Sequence, residues 1–342
     1  LLQWSILRAT RWRYKIVDIN ILILSAGRRV ELVQCFQKAA KKLNIKSKIV
    51  AADCSNMAPA LYFADKIYTL PRISEPNYIS SIISICIEEN ISLIVPTIDT
   101  DLLLLAESKK LIEEKTNAKV LISDIRVVEI CRDKIKTQSF LEENNFYVPK
   151  MYMNDEIESG NVKYPVFIKP KSGSSSINAF KVNNSTELKI YRSIIDEPIV
   201  QEFIEGEEYT VDVFLDFESN IITIVPRVRI NTRSGEISKG KIIKDREIIN
   251  DVCRLMKVLK PIGHITVQLM KTKRGIEYIE INPRFGGGAP MSIQSGADSC
   301  ENLYRLLMGE KLKYNENYRD NIIFLRFDNS ICLDENMEIV KW

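Results

Sequence analysis

The sequence predicts an α/β protein in which an N-terminal parallel-sheet domain precedes a two-lobed α+β part. Three observations favour this fold class. Between residues 20 and 122, apolar β-runs alternate with helical stretches, as in a parallel sheet covered by helices. After residue 263, two β-runs joined by a short Gly-bearing loop indicate an antiparallel hairpin. The 342 residues, 45% hydrophobic and 27% charged, suffice for two or three lobes with a sizeable core.

The first β-run, Asn20–Leu24, is followed by a small turn and a helical pattern over residues 30–43. Further β-runs are predicted at 49–52, 66–69, 93–96 and 119–122, with helices at 78–90 and 101–115. Parallel sheets bind ligands beyond the carboxyl ends of their strands. The side chains expected there are those of Arg28, Asp53, Thr97, Asp99 and Asp101. The alternative for the last two is helix capping, a role expected of Thr100 or Asp101.

Residues 1–18 are expected to be an extension outside the fold. Cationic and aromatic residues are mixed through this segment, and it has no apolar core of signal-peptide length. A helix lying on a membrane surface is the alternative. No apolar run in the sequence reaches the roughly 20 residues that a transmembrane helix needs, so no membrane partner is predicted.

The charge pattern and the rarer residues exclude several function classes. The net charge is +3, with Lys and Arg interspersed among Asp and Glu, so nucleic-acid binding is not favoured. Seven cysteines without C-x-x-C spacing are typical of reduced thiols and predict a cytoplasmic protein. The single histidine, His264, cannot build a His-based triad or metal site. We expect it to be a packed residue.

A hairpin near the end of the second half predicts a magnesium site. Its β-runs are expected at residues 265–270 and 276–281, folding about Arg274. Gln268 then lies opposite Glu280, and Thr266 lies opposite Asn282, with all four side chains on one face. Oxygen ligands from Gln268, Glu280 and Asn282 suit Mg²⁺ that is shared with substrate phosphates. For the Glu-X-Asn-Pro motif alone, a purely structural strand end is the alternative.

Two lysines are candidates for phosphate binding. An apolar strand over residues 164–170 carries Lys169 and runs into a hydroxyl-rich loop at 171–176. Backbone N–H groups of such a loop can close on phosphate oxygens while the lysine supplies a point charge. Lys134, in a helical run from residue 131 to 145, is the second candidate. The chain contains no Walker loop and no G-x-G-x-x-G after a strand, and a bland surface loop is the alternative.

A strand, an acidic bend and a second alternating strand occupy residues 199–213. This pattern predicts an apolar-walled edge whose backbone amides can pair with an adenine ring. Glu208 is placed to accept hydrogen bonds from ribose hydroxyl groups. A charged hairpin without a ligand is the alternative.

The segment 226–240 is unusually cationic. Arg227 and Arg229 share a strand face, and Arg233 and Lys239 follow in a loop. A solvated edge strand is one interpretation. The other is an anion site beside Arg284, in which guanidinium groups hold a substrate carboxylate and neutralise an acyl phosphate.

In order and spacing, these motifs resemble the ATP-grasp superfamily, and most of all its branch related to the carbamoyl-phosphate synthase large subunit, here with a single ATP-grasp unit. The resemblance covers roughly residues 20–330. It implies a pre-ATP-grasp domain over 19–125 and an ATP-grasp domain over 126–330, with a mobile small lobe at about 142–201 and a C-terminal tail over 331–342.

The resemblance also implies roles for individual residues. Lys134 and Lys169 would bind the nucleotide phosphates, covered by a loop that includes Gly173, Ser174 and Ser175. The adenine slot would be lined by Gln201, Glu202, Phe203 and Ile204, with Glu208 on the ribose. Glu280 and Asn282 would ligate magnesium, with Gln268 completing the shell of a second ion. Family members often carry an acid at the position of Gln268, so the neutral amide weakens the case for two ions.

The function that follows is ATP-dependent ligation of a small-molecule carboxylate to an amine or another nucleophile, through an acyl phosphate. The cofactors would be ATP and one or two Mg²⁺ ions, which Mn²⁺ could replace. Lys169, Arg229 and Arg284 would act on the reacting groups, and Arg28, Arg227 and Arg229 would hold the substrate. A kinase-like phosphotransferase and a catalytically silent nucleotide-binding protein are the alternatives. A homodimer is the expected assembly, with no nucleic-acid partner.

Overall fold

The computed structural model describes residues 18–172, 177–233 and 235–340. Its N-terminal part is a five-stranded parallel sheet in the order β3-β2-β1-β4-β5. The strands are β1 Asn20–Leu24, β2 Ile49–Asp53, β3 Lys66–Thr69, β4 Ile91–Pro96 and β5 Lys119–Val120. The accompanying helices are α1 Val30–Lys42, α2 Tyr78–Glu88, α3 Asp99–Lys115, α4 Ile125–Arg132 and α5 Lys134–Glu143. The predicted alternation of strands and helices is therefore confirmed.

A small antiparallel sheet of four strands follows, in the order β6-β9-β7-β8. Its strands are β6 Met151–Tyr152, β7 Val166–Pro170, β8 Phe180–Val182 and β9 Pro198–Glu202. The helices α6 Asn154–Glu158 and α7 Ser185–Ile194 belong to the same segment. Apolar side chains from the strands and α7 form a separate small core, which includes Val166, Ile168 and Leu188.

The third sheet has six strands in the order β14-β13-β10-β11-β12-β15, and all neighbours are antiparallel. Its strands are β10 Glu207–Leu215, β11 Ile221–Arg233, β12 Glu236–Ile242, β13 Gly263–Thr272, β14 Gly275–Asn282 and β15 Ile323–Leu325. Helix α8 Arg246–Leu259 packs its apolar face on this sheet, and α9 Ala289–Ser295 and α10 Ser299–Leu307 follow β14.

The core of the parallel sheet continues into the last two helices. One buried cluster contains Ile21 and Phe36 from the first domain together with Phe285 and Tyr304 from the end of the third sheet and α10. The ring of Phe36 meets the rings of Phe285 and Tyr304 edge-on at centroid distances of 6.1 Å. Apolar burial therefore fixes the parallel sheet against the six-stranded sheet.

The predicted hairpin pairing is confirmed, because Gln268 pairs with Glu280 and Thr266 with Asn282. Both strands are longer than predicted, and the loop shrinks to Lys273 and Arg274. A bulge next to Gln268 shifts the register towards the loop.

Two helix predictions were wrong in detail. Helix α3 begins at Asp99 after Ile98, without a side-chain cap, whereas Asp101 accepts a hydrogen bond from Ser25 Oγ at 2.5 Å. The predicted single helix at 131–145 is instead broken at Asp133. The carboxylate of Asp133 accepts from the backbone of Ile135 and Lys136, so it caps α5.

Across the described ranges, no helix combines the length and apolar character needed to cross a membrane. Most of the predicted N-terminal extension, residues 1–17, lies outside the described part of the chain. The same holds for Gly173, Ser174 and Ser175 of the predicted phosphate loop.

Candidate active site

An apolar pocket of about 240 Å³ lies between the four-stranded sheet and the β13–β14 hairpin. Its apolar wall consists of Pro149, Phe167, Pro170, Ile177, Ala179, Phe203, Ile204, Met270 and Ile279. The predicted adenine-binding residues Gln201, Glu202, Phe203 and Ile204 all line it. An apolar slot with a polar edge suits a flat heterocycle.

The polar edge of this pocket is the segment that leaves β9. Within the described chain, the backbone N–H groups of Phe203 and Ile204 donate to no acceptor. The carboxylate of Glu202 lies 3.0 Å from the guanidinium of Arg274, and Lys181 Nζ lies 4.1 Å from the centre of the Phe203 ring. The side chains are thus held by neighbours while two backbone donors stay available.

Lys134 and Lys169 line the same pocket. The break at Asp133 places Lys134 in the first turn of α5, where its Nζ donates to the carbonyl of Lys171 at 3.3 Å. The pKa of Lys169 is lowered to about 8, mainly by burial. The charge of Glu280 acts against this shift, and the charge of Lys134 adds to it. Burial also lowers the pKa of Lys134, again against the charge of Glu280. Two partly desolvated cations side by side favour a bound anion.

Glu280 and Gln268 line both this pocket and a second, polar pocket. Asn282 lines only the second pocket. The Nε2 of Gln268 donates to Glu208 at 2.5 Å, which leaves its Oε1 as the group available to a cation. The predicted oxygen set of one carboxylate and two amides is therefore gathered where the two pockets adjoin.

This donor set fits a hard cation that takes its other ligands from phosphate and water. Within residues 18–172, 177–233 and 235–340, no three His, Cys, Asp or Glu side chains form a group that could hold a metal by themselves. A cage made only of protein ligands is therefore not what these residues provide. They fit Mg²⁺ that arrives with a nucleotide.

Four arginines line the polar pocket, which has a volume of about 150 Å³. Each one forms an ion pair with a carboxylate: Arg29 with Glu236 at 3.0 Å, Arg227 with Asp212 at 2.5 Å, Arg229 with Glu208 at 2.9 Å and Arg284 with Asp99 at 2.6 Å. Among the described residues, the buried Nε atoms of Arg227 and Arg284 have no hydrogen-bond partner. Unused guanidinium donors in a pocket are suited to a planar carboxylate.

A buried hydrogen-bond network around Asp212 holds Arg227, one of these arginines, in place. Asp212 accepts from Arg227 at 2.5 Å, from Ser292 at 2.6 Å and from Thr266 at 3.1 Å. Burial on its own would raise the pKa of Asp212. Interactions with Arg227 and His264 lower this pKa by more than burial raises it, so it lies below its usual range. His264 is buried, stacks on Phe285 and contacts Ser299 at 3.0 Å, so its expected packed role is confirmed.

Three consecutive glycines allow these side chains to approach. A Cβ on Gly287 would lie 2.7 Å from Arg29 Nη1 and from a carboxylate oxygen of Glu236. A Cβ on Gly288 would lie 2.6 Å from Arg227 Nη2. A side chain at either position would therefore require its neighbours under the polar pocket to shift.

Two residues that the sequence predicted at the substrate and nucleotide sites do not line the corresponding pockets. Arg28 is exposed and does not line the polar pocket, whereas its neighbour Arg29 does. The turn at Gly27, with φ of +46°, and the bond from Arg29 N to Ala26 O at 2.8 Å determine which of the two arginines faces the pocket. Glu208 does not line the apolar pocket, since its carboxylate is held by Arg229 and Gln268.

Of the residues predicted at the carboxyl ends of the parallel strands, Thr97 and Asp99 line the polar pocket. Asp53 does not line this pocket, and its carboxylate accepts a hydrogen bond from the backbone N–H of Gly27 at 2.9 Å. Asp101 does not line the pocket either, and burial raises its pKa to about 6. Glu236 was missed, since a glutamate in a cationic loop gave no signal of its own. Arg29 could have been found, because it is adjacent to the arginine that was chosen.

Comparison with known proteins agrees with this geometry. Residues 21–121 match the family described as the PylC-like N-terminal domain, and residues 131–288 match the ATP-grasp domain family. The chain thus combines a parallel-sheet domain with a nucleotide-binding α+β domain. Residues 131–288 are thus an ATP-grasp domain, and the resemblance deduced from the motifs is confirmed for this part of the chain.

Among individual relatives, a carbamoyl-phosphate synthase of Methanobrevibacter smithii is 27% identical over 168 residues, which is 47% of this chain and 44% of the relative. A 3-methyl-D-ornithine–L-lysine ligase of Methanosarcina mazei is 23% identical over 279 residues, 81% of this chain and 70% of the relative. The chain spans less than half the length of several such relatives, for example 20% of a carbamoyl phosphate synthase large chain of Caldanaerobacter subterraneus.

Solved structures share the fold. The biotin carboxylase domain of the Hydrogenobacter thermophilus 2-oxoglutarate carboxylase, crystallised with MgADP and bicarbonate, matches with a TM-score of 0.70 at 17% identity, covering 89% of this chain and 73% of that one. The N5-carboxyaminoimidazole ribonucleotide synthetase of Thermotoga maritima matches with a TM-score of 0.63 at 21% identity, covering 87% and 78%.

Proposed function

We propose that the protein is an ATP-dependent carboxylate–amine ligase that forms an acyl phosphate. The observation that carries the proposal is that the apolar pocket and the arginine pocket share Glu280 and Gln268. A nucleotide bound in the first pocket would direct its terminal phosphate towards an anion bound in the second. Positioning and charge stabilisation are the main requirements of phosphoryl transfer.

The apolar pocket would hold ATP. Its wall would enclose the adenine ring, and the unused N–H groups of Phe203 and Ile204 would donate to the ring nitrogens. Lys134 and Lys169 would contact phosphate oxygens, because both line this pocket, the first half-buried and the second buried, and both have lowered pKa values. Phosphate would stabilise their charged forms.

Glu280, Asn282 and the Oε1 of Gln268 would hold Mg²⁺. When bound, this ion would neutralise charge on the phosphates. With one carboxylate and two amides, the residues on the protein side supply a single negative charge to the metal site.

The arginine pocket would hold the substrate carboxylate. One of its oxygens would attack the γ-phosphorus, the bond to the ADP oxygen would break, and Arg229 and Arg284 would stabilise the charge that develops. An amine would then attack the acyl carbon, lose a proton and release phosphate. The partners would thus be a small carboxylate and an amine or another nucleophile, in keeping with the relatives named 3-methyl-D-ornithine–L-lysine ligase and D-alanine–D-alanine ligase B.

Hydroxylamine trapping tests the proposal. With Mg·ATP and a panel of amino acids and small dicarboxylates, we expect hydroxamate and ADP to form together for the correct carboxylate. Arg229→Ala should abolish this, whereas Arg233→Ala should not, because Arg233 is exposed and pairs with Asp328 outside the pocket. ADP with a stable phosphoester and no hydroxamate would instead indicate a kinase. Nucleotide binding without ADP formation for any carboxylate would indicate a silent binder.

A further inference from the structure

The six-stranded sheet ends in a strand, β15 Ile323–Leu325, whose outer edge is open. This strand pairs with β12 on one side, and among the described strands it has no neighbour on the other. Just beyond it, Arg326 N donates to Ser238 O at 2.9 Å. Because backbone groups alternate in direction along an antiparallel strand, those of residues 322, 324 and 326 face β12. The backbone groups of Ile323 and Leu325 therefore point away from the sheet.

The same edge exposes a row of apolar side chains. Ile323 is 60% exposed, Leu325 69% and Phe327 85%, whereas the alternate side chains of Phe324 and Arg326 are half-buried. Proteins usually protect an open sheet edge with a charged side chain, a proline or a bulge. None of the three exposed side chains is charged, and none is proline. The edge thus offers both backbone groups and apolar contacts to another strand.

The rest of the segment does not protect this edge. Arg326 Nη1 lies 3.2 Å from a carboxylate oxygen of Glu236 on β12, and Asp328 pairs with Arg233 at the end of β11. Both charges are therefore bound within their own sheet. Residues 331–340 form a bridge among themselves and leave the apolar row exposed.

We propose that β15 pairs with β15 of a second copy of this chain, antiparallel and across a two-fold axis at Leu325. The apolar row is self-complementary about this residue. The axis places Leu325 opposite its own copy and Ile323 opposite Phe327 of the second copy, so that no charge meets an apolar side chain. The open backbone groups of each Leu325 would exchange two hydrogen bonds. Such an isologous contact joins the two sheets into one and does not depend on the proposed reaction.

Analytical ultracentrifugation of the full chain tests the pairing. One strand pair with six apolar side chains is a small interface, so we expect a dimer with a dissociation constant of about 1–100 μM. Leu325→Lys brings two like charges together at the axis and should raise this constant at least about 30-fold. Ile194→Lys is the matched control, because Ile194 is 65% exposed on α7, outside this sheet. It should leave the constant unchanged.

Disulfide formation tests the register. In a hydrogen-bonded antiparallel pair the facing Cα atoms are about 5.5 Å apart, which suits a disulfide. Mild oxidation of Leu325→Cys should therefore link two chains. Ile323→Cys should not form this link, because its two copies would lie about 14 Å apart along the paired strands. Since Cys54 and Cys332 are exposed, the wild-type protein oxidised in parallel gives the background.

Three results would overturn the inference. A wild-type protein that stays monomeric at about 100 μM would leave the edge to a strand of a different protein. A dimer that Leu325→Lys does not weaken would use another surface. Equal linking of the two cysteine variants would refute the two-fold register at Leu325.

Discussion

Replacing Lys169 by methionine should stabilise the ligand-free protein while removing most of its activity. Lys169 is 8% exposed, and burial is the main cause that lowers its pKa from 10.5 to about 8. Such a lowering corresponds to an unfavourable contribution to folding of roughly 3 kcal/mol while the lysine is charged in both states. Methionine keeps an unbranched side chain of similar reach without the charge, so the variant should unfold at a higher temperature at pH 7.

The stability difference between the wild-type protein and the Lys169→Met variant should depend on pH. Below about pH 8 the lysine is charged in the folded and the unfolded chain, and the full penalty is present. Between that pH and 10.5 the folded state releases its proton first, so wild-type stability rises relative to the variant. By pH 10 the penalty should be less than about 1 kcal/mol. The difference in unfolding midpoint should therefore be clear at pH 7 and small at pH 10.

Activity should change in the opposite direction. If Lys169 contacts the phosphates, loss of its charge should cost about 2–4 kcal/mol of transition-state stabilisation, or roughly 30- to 1,000-fold in kcat. The assays are differential scanning fluorimetry without ligand and ADP release with Mg·ATP. Lys163→Met, at an exposed lysine just before β7, should change neither readout. A variant that is less stable at pH 7, or that keeps wild-type kinetics, would refute the reasoning.

Two further predictions concern the other side of the site. Glu280→Gln should abolish ADP release but weaken ADP binding less, since it removes one anionic oxygen and leaves the apolar pocket intact; undiminished ATP consumption would contradict the assignment. Gly288→Ala should lower the unfolding midpoint, by about 1–3 kcal/mol in stability, because its Cβ would lie 2.6 Å from the buried Arg227 guanidinium; thermal unfolding measures this, and an unchanged midpoint would show that Arg227 can move aside.

The sequence was most informative where periodicity and pairing act locally. Alternation in a strand and the short hairpin loop determine which face carries Glu280 and Asn282, so their pairing with Gln268 and Thr266 could be predicted. The buried run of β1 likewise leaves little choice but an inner parallel strand. These features depend on near neighbours in the chain.

The missed features depend on backbone turns and on distant partners. The choice between Arg28 and Arg29 follows from the turn at Gly27, which the residue types alone do not reveal. Glu208 was expected on a ribose, but its carboxylate is held by Arg229 on the neighbouring strand. Strand order across a sheet decides such pairs, and an isolated hairpin pattern carries no information about it.

The arginine pocket is shared by two domains, and its ion pairs explain how it can be cationic and still fold. Arg29 and Asp99 come from the carboxyl ends of the parallel strands, while Arg284 and Glu236 come from the six-stranded sheet. An unpaired buried guanidinium would be strongly destabilising, so each arginine has a carboxylate partner. A planar donor group can keep one carboxylate and still offer its remaining N–H groups to a second. The pairs between the domains therefore avoid an unpaired buried charge and hold the donors in place for an anion, and the pocket requires both domains to be present.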